Sequence, residues 1–328
     1  MSRGRIHLIF FVIISCIAIL SMGSSAEQKF PSKTIEIVVG YGAGGGVDIL
    51  ARMVALDARK ILGVPIIVVN MPGAATVEAT NYVQSQPADG YTVFCATPTS
   101  IYNNPLSGRV NVMPEDWIPI LRAHVDIGSI VVRQESPFKT WQDLVSYAKK
   151  NPGKLNWGIV GALSIDEIAS SILMQEAGID VKLISFESGG EAQAALLGGH
   201  IDALYEEPGV VMELIESKRM RPILVLSENR LQRFPDVVSM GEMGYASVPM
   251  LWRGFFVKKG TPNEVVRTLE NAFTKAMQGK IYKAYERESL LDLYPGGFLG
   301  SEAFAASMKK EVETYTSVLR KLGYLKAK

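Results

Sequence analysis

The chain has 328 residues, with 34 Lys and Arg set against 33 Asp and Glu for a formal net charge of +1. At 48% apolar and 20% charged residues it has the composition of a globular protein, and its length suffices for two ordinary domains. Balanced, interspersed charge excludes the basic stripe of a nucleic-acid binder and the like-charge run of a disordered tail.

Arg3 and Arg5 precede an apolar run from Leu8 to Leu20, and Ser21-Met22-Gly23-Ser24-Ser25-Ala26 follows. A charged start, an apolar run short for a bilayer and a small-residue site predict a cleaved signal peptide over residues 1–26. The mature protein is then exported to the periplasm. An uncleaved anchor, or a lipoprotein box at Ile13-Ile14-Ser15-Cys16, are the other readings of this segment. Cys95 is the one cysteine left after cleavage, so no intramolecular disulfide is expected.

Residues 34–39 are dominated by β-branched side chains and predict a buried strand. Gly40-Tyr41-Gly42-Ala43-Gly44-Gly45-Gly46-Val47-Asp48 comes next, and then Ile49, Leu50, Met53, Val54 and Leu56 recur at helical spacing. The glycines therefore sit on a tight strand-to-helix turn, with Asp48 near the N-cap. Such a turn aims backbone N–H groups above the strand's end, where the helix dipole favours an anion. By itself the pattern fits a packing turn, a phosphate loop or a dinucleotide site. No Gly-Lys-Ser/Thr follows, which argues against a phosphate loop. Asn70 stands where a ribose-binding acid would end the second strand, which argues against a dinucleotide.

Strands over 66–69 and 91–96, with a helix over 76–84 between them, complete a doubly wound parallel unit. Its loops near 40–48, 70–76 and 97–104 should line one crevice, with Thr97 and Tyr102 on the third. Residues 105–120, with three prolines, read as irregular. Strands over 127–133, 155–159, 181–186, 201–205 and 221–226 then alternate with helices, including one over 165–177 with Ser164 as N-cap and Glu167 at the capping-box offset. The expectation is a second αβ domain over 127–249, facing a first domain built from 27–126 and 250–328. Extended crossovers near 121–133 and 247–257 would be the hinges. Residues 251–257 are extended, a helix starts at Thr261-Pro262-Asn263-Glu264, and an amphipathic helix over 301–322 packs on the first domain.

Enzyme signatures are thin. There is no G-x-S-x-G elbow, no H-E-x-x-H and no zinc spacing, so neither catalysis, a cofactor nor a metal is expected. Glu206-Glu207 are adjacent carboxylates that read as a solvated or cleft-edge feature, one of which meets a ligand in the sharper reading.

Several stretches carry a resemblance in order along the chain. They are the glycine run with Ala51-Arg52, Val69-Asn70-Met71-Pro72-Gly73-Ala74, Asp89-Gly90-Tyr91-Thr92, Asn104-Pro105 and Asp116-Trp117-Ile118-Pro119-Ile120. Further on stand Ala148-Lys149-Lys150-Asn151-Pro152-Gly153-Lys154-Leu155-Asn156-Trp157-Gly158, Leu197-Gly198-Gly199-His200-Ile201-Asp202 and Arg233-Phe234-Pro235-Asp236-Val237. Together they resemble the tripartite tricarboxylate transporter substrate-binding proteins, the Bug family of periplasmic binding proteins.

The resemblance implies an α/β fold of two doubly wound domains, the type II periplasmic-binding architecture, closing over a small carboxylated ligand. It implies backbone N–H groups offered by Tyr41, Gly42, Ala43, Gly44 and Gly45, and by Gly161 and Ser164 opposite. Asp48 would brace its loop and not touch an anion. Phe186, Gly189, Tyr205 and Glu206 are further candidates, with Tyr41, Tyr102 and Trp252 as aromatic ones. The implied function is extracytoplasmic capture of an organic acid by a monomer and delivery to integral membrane transporter subunits. A secreted enzyme on the same fold and a ligand sensor are the alternatives.

The departures are as informative. Ser185-Phe186-Glu187-Ser188-Gly189 stands where the family often has Pro-Tyr-Lys-Gly. Gly158-Ile159-Val160-Gly161-Ala162-Leu163-Ser164 replaces a Gly-Ser-x-Gly-x-Gly-Ser run, and Glu167 replaces a frequent His. A more apolar and acidic second wall suggests a ligand with one carboxylate and an apolar, aromatic or amine-bearing other end. Alternatively, these side chains point away from the cleft.

Overall fold

Ile35–Val39, all but one β-branched, forms strand β1 with its first and last three residues buried. The chain then runs through α1 (Gly46–Leu62), β2 (Ile66–Asn70), α2 (Val77–Ser85) and β3 (Thr92–Ala96). β1 pairs in parallel with β2 on one side and β3 on the other, as alternating strands and helices require. The computed structural model describes residues 29–246, 248–294 and 296–325. The predicted signal segment over 1–26, with Cys16, lies outside them.

A turn of π-helix at Thr99–Asn103 follows β3. Residues 105–120 are not wholly irregular, as the prolines had suggested: β4 (Trp117–Asp126) is a ten-residue strand. Pro119 is tolerated because its polar edge faces β11, which pairs with β4 only at Leu121 and Arg122, and its carbonyl accepts from Ser301 Oγ at 2.7 Å instead.

The second sheet is built from β5 (Ser129–Arg133), α3 (Trp141–Lys150), β6 (Asn156–Val160), α4 (Ile165–Ala177), β7 (Lys182–Phe186), α5 (Gly189–Leu197), β8 (Ala203–Glu206), α6 (Met212–Glu216) and β9 (Met220–Val225). Its strand order is β7-β6-β8-β5-β9. The chain returns through β10 (Leu251–Lys258), α7 (Asn263–Met277), α8 (Lys280–Glu288), β11 (Leu299–Gly300) and α9 (Ser301–Lys321). These close the first sheet in the order β11-β4-β10-β3-β1-β2. Leu251 pairs with Asp126, so the outgoing and returning chains lie side by side.

Each sheet has its own apolar core. Phe94, Trp252, Phe256, Phe304 and Leu319 pack under the first; Trp141, Trp157, Leu173 and Leu224 pack under the second. In α9 the buried residues Phe304, Met308, Glu311, Tyr315 and Leu319 follow helical spacing, which seats it on the first sheet. Leu163, Ile165, Ile168 and Ile172 belong to the second half yet join the first half's cluster. The two halves are therefore shut on each other through apolar contact. Among the described residues no helix is long and apolar enough to cross a membrane.

Candidate functional site

The glycine run turns β1 into α1, and different glycines are needed for different reasons. Gly44 has φ 86°, a left-handed value that costs a Cβ-bearing residue about 1–2 kcal/mol. A Cβ at Gly42 would come within 2.7 Å of Ser188 Cβ, across the cleft. A Cβ at Gly46 would run into the guanidinium of Arg253. The N-cap is Gly45 rather than Asp48, and it supplies no side-chain acceptor. The first-turn N–H groups of α1 are thereby left for another acceptor.

Asp48 lies inside the first turn and ties the loop from beneath. Its carboxylate accepts from Gly44 N at 3.0 Å, Asn70 Nδ2 at 2.9 Å and Arg52 Nε at 3.0 Å. Asn70 also donates to Tyr41 O at 3.0 Å, which explains an amide at the end of β2. Burial pushes the Asp48 carboxyl up, but these donors outweigh it and hold it below the ordinary range.

The opposite wall repeats the motif twice. Ser164 caps α4, its hydroxyl accepting from Glu167 N at 3.3 Å, and Ser188 caps α5 through Glu191 N at 3.2 Å. The Glu167 carboxylate does not complete a capping box. It accepts from Leu163 N at 2.5 Å, where Leu163 has φ 59°, and from Tyr324 Oη at 2.7 Å. Gly42 N donates to Glu187 O at 3.3 Å, and a Cβ on Gly189 would sit 3.4 Å from Gly45 Cα. The N-termini of α1 and α5 thus meet across the cleft, with that of α4 beside them.

Between them lies a cavity of about 50 Å³, space for roughly four water molecules. The first half lines it with Tyr41, Gly45, Gly46, Val47, Thr97 and Thr99, and with Leu251 and Arg253 of β10. The second half contributes Val160, Ile165, Asp166, Gly189, Glu206 and Glu207. Tyr41 Oη and Thr97 Oγ1 are 3.2 Å apart, so one hydroxyl orients the other. Burial pushes the Tyr41 hydroxyl up, so it stays protonated.

Charge is concentrated here. Arg253 is 3% exposed and forms ion pairs with Asp126 and, at 2.5 Å, with Glu207. His124 Nδ1 lies 3.1 Å from Tyr282 Oη, and burial and Arg253 push its pKa well down, leaving a neutral ring. Its Nε2 is 3.5 Å from Asp126 Oδ2, close but short of a full hydrogen bond, and both atoms lack a partner. Glu206 accepts from Gln193 Nε2 at 3.0 Å and Glu207 N at 3.2 Å, and Asp166 from Val160 N at 2.9 Å. Burial, then the Glu207 charge, pushes both Glu206 and Asp166 well up.

Of the residues singled out in the sequence, Tyr41, Gly45, Thr97, Gly189 and Glu206 line this cavity. Gly42, Ala43 and Gly44 form the loop's outer rim, Ala43 and Gly44 being exposed. Asp48 lies beneath that loop. Gly161 sits against Tyr41, its N–H donating to Phe186 O at 2.9 Å, and Ser164 is spent as a cap. Phe186 packs with Leu196 and Ile201. Tyr102 and Trp252 are core residues that both donate to Glu311, at 3.0 and 2.8 Å. Tyr205 is buried in the second core, against Gly128.

The Glu206-Glu207 pair is not a solvated feature: both are buried, because β8 ends inside the closed cleft. Glu187 is exposed and is not among the residues lining the cavity. Sequence reasoning missed Arg253, Asp166, Thr99 and Asp126. The available signal was Arg253 itself, one cation in the otherwise apolar Leu251-Trp252-Arg253-Gly254-Phe255-Phe256.

Known proteins share this fold. The model of a family described as tripartite tricarboxylate transporter family receptor matches residues 50–315. A UPF0065 protein of Cupriavidus necator is 33% identical over 322 residues, spanning 95% of each chain. The solved structure of the periplasmic binding protein BugD superposes with a TM-score of 0.79 at 25% identity, over 91% of this chain and 100% of its own. MatC from Rhodopseudomonas palustris, solved with bound malate, gives 0.80 at 22% identity over 88% and 100%. A family match over most of the chain and a relative alike from end to end lead to one conclusion: this chain belongs to the tripartite tricarboxylate transporter receptor family of solute-binding proteins.

Proposed function

We propose that the chain is a periplasmic receptor that captures a small organic acid between two lobes and delivers it to the subunits of a tripartite membrane transporter. The lobes are 27–126 with 250–328, and 127–249. The observation that carries this reading is the convergence of three helix N-termini, those of α1, α4 and α5, on one interlobe cavity. The N–H groups of α1, which has no side-chain cap, and the positive ends of three dipoles make an anion site, with Arg253 on the same wall. A carboxylate would be held by the N–H groups around Gly45 and Gly46, with the Thr97 and Thr99 hydroxyls beside it. MatC, with malate bound, is a relative in fold that carries a ligand of this class.

Closure is the mechanism. A ligand touching both walls has more partners in the shut state than in the open one, and so shifts the lobes toward closure. Bending would be absorbed near 121–133 and 247–257, where the two crossing strands run side by side. Nothing in this sequence of events changes the ligand covalently.

A thermal-shift screen with mono- and dicarboxylates, aromatic acids and amino acids tests the reading. A ligand that raises the melting temperature and is recovered unchanged supports it, whereas turnover of the ligand overturns it. Asp48→Ala, which frees the loop from its brace, should weaken every ligand by about tenfold or more, as loss of a buried charged acceptor would. Unchanged affinity in a cooperatively melting variant removes the glycine loop from the site.

A further inference from the structure

The two walls of the cavity carry opposite electrostatic demands. On the first wall stand the N–H groups of the α1 terminus and Arg253, whose buried Nε has no partner. The second wall carries Asp166 and Glu206, and among the described residues neither forms an ion pair. Their partners are neutral: the backbone N–H of Val160 for one, the Gln193 amide and Glu207 N–H for the other.

The charges can be summed. Three helix termini supply about +1.5 and Arg253 adds one, against the carboxylates of Asp126, Asp166, Glu206 and Glu207. With all four ionised the sum is about −1.5; with Asp166 and Glu206 protonated, as burial and the Glu207 charge hold them before a ligand enters, it is about +0.5. An amino-bearing monocarboxylate, being neutral overall, adds nothing to it and lets each wall meet its complement. An ammonium beside Asp166 and Glu206 lets both ionise, whereas a second carboxylate there would repel them or keep them protonated, and this local pairing favours a zwitterion over a dianion.

We propose that Asp166 and Glu206 form an ammonium subsite, so that the ligand is a small amino-bearing carboxylate whose carboxylate faces the glycine loop. The proposal rests on the carboxylate reading above and adds the identity of the other end. An ammonium offers three N–H donors, enough to bridge two carboxylates. A metal ion is a poorer occupant, because no group of three or more His, Cys, Asp or Glu among the described residues has a metal-holding arrangement. The cavity of about 50 Å³ favours a short chain over an aromatic one. The upward push on both carboxyls agrees: each resists ionisation in the shut cleft until a cation arrives.

The test is titration calorimetry with matched pairs: aspartate against malate, and 4-aminobutyrate against butyrate, with butylamine as the amine lacking a carboxylate. The amino member of at least one pair should bind about tenfold or more tightly than its amine-free counterpart, as a charged hydrogen bond gained would give. Glu206→Gln and Asp166→Asn should each weaken the amino member by a similar factor and leave the amine-free member equal or stronger. Equal or tighter binding of the amine-free members overturns the ammonium subsite while the carboxylate reading stands. Equal loss for both members in the variants reduces the two acids to a structural role and also overturns it. Silence from every carboxylate with a cooperatively melting protein, whether or not butylamine binds, overturns the carboxylate reading and the proposal with it.

Discussion

Arg122 on β4 and Arg253 on β10 are both buried and lie nearly opposite each other across two paired strands, yet their surroundings differ in kind. Around Arg122 the account is complete. Nε and Nη2 donate to the carbonyls of Gly297 and Gly296, at 2.8 and 2.9 Å, and Nη1 meets Glu311. Glu311 in turn accepts from Tyr102, Trp252 and Ser307. Around Arg253 the account stays open: its Nε, Asp126 Oδ2 and His124 Nε2 have no partners, and acids outnumber cations. A fully satisfied buried network rigidifies a core, whereas a partly satisfied one in a cleft marks a place built to receive something. Neighbouring positions on one sheet thus carry two kinds of network, one closed on itself and one left open.

The same substitution should act with opposite signs in the two clusters. Glu311→Gln removes the charge that balances Arg122 and leaves a cation buried, which costs about 3–5 kcal/mol. Urea unfolding would read it, and the ligand preference of the folded fraction should not change. A loss below about 1 kcal/mol would place this pair with exposed ion pairs and erase the contrast.

Glu206→Gln, by contrast, should stabilise the protein at neutral pH, by roughly 0.5–2 kcal/mol, at the cost of recognition. The sign follows from linkage. The Glu206 and Asp166 carboxyls are raised in the folded state, chiefly by burial, so the native protein binds protons that the unfolded chain has released. The stability this gives is fully present below the ordinary carboxyl range and is lost as pH rises through the raised folded value. Wild-type protein without ligand should therefore lose stability from mildly acidic to neutral pH, and Glu206→Gln should flatten that slope. A wild-type slope of the opposite sign would mean that the cleft acids are already balanced by a cation.

This division also explains what could be read in the chain beforehand. The glycine loop was legible because backbone geometry writes itself into residue type: Gly42, Gly44 and Gly46 are glycines for reasons of space and φ. The strands and helices of both halves followed from periodicity. β4 did not, because Pro114 and Pro119 masked it, and because Arg122, His124 and Asp126 alternate as a solvated face would, whereas the fold buries that face under α8 and the turn at Gly297. The acid wall was illegible for a related reason. Glu206, Glu207 and Asp166 all lie on the second half, brought together where β6 and β8 pair in parallel, and no spacing along the chain encodes that pairing. Of the departures on the second half, Glu167 is spent on Leu163 N and Tyr324, and Glu187 is exposed and does not line the cavity.

The smallest effect probes what keeps the open cluster buried. The Arg122 network is covered by the first half's own α9, through Glu311, and needs no closure. In the Arg253 network His124 is covered by the first half's α8, but Arg253 itself pairs with Glu207 of the second half, which is shut against it. One of the contacts holding it shut is made by Tyr324, beyond the end of α9, whose hydroxyl donates to Glu167 Oε1 at 2.7 Å. Burial and that carboxylate push the hydroxyl up to about 12, so it remains a donor across the working range. Tyr324→Phe keeps the ring and deletes the bond, and should weaken closure by about 1 kcal/mol. Because closure and binding are linked, affinity for every ligand falls by about fivefold, with the preference between amino-bearing and amine-free members unchanged. The Glu311→Gln penalty should be the same in this background, since the two sites act through different contacts. A change in ligand preference instead would show that Tyr324 reaches the cleft chemistry itself, and that the two clusters are not as separate as their hydrogen bonds make them.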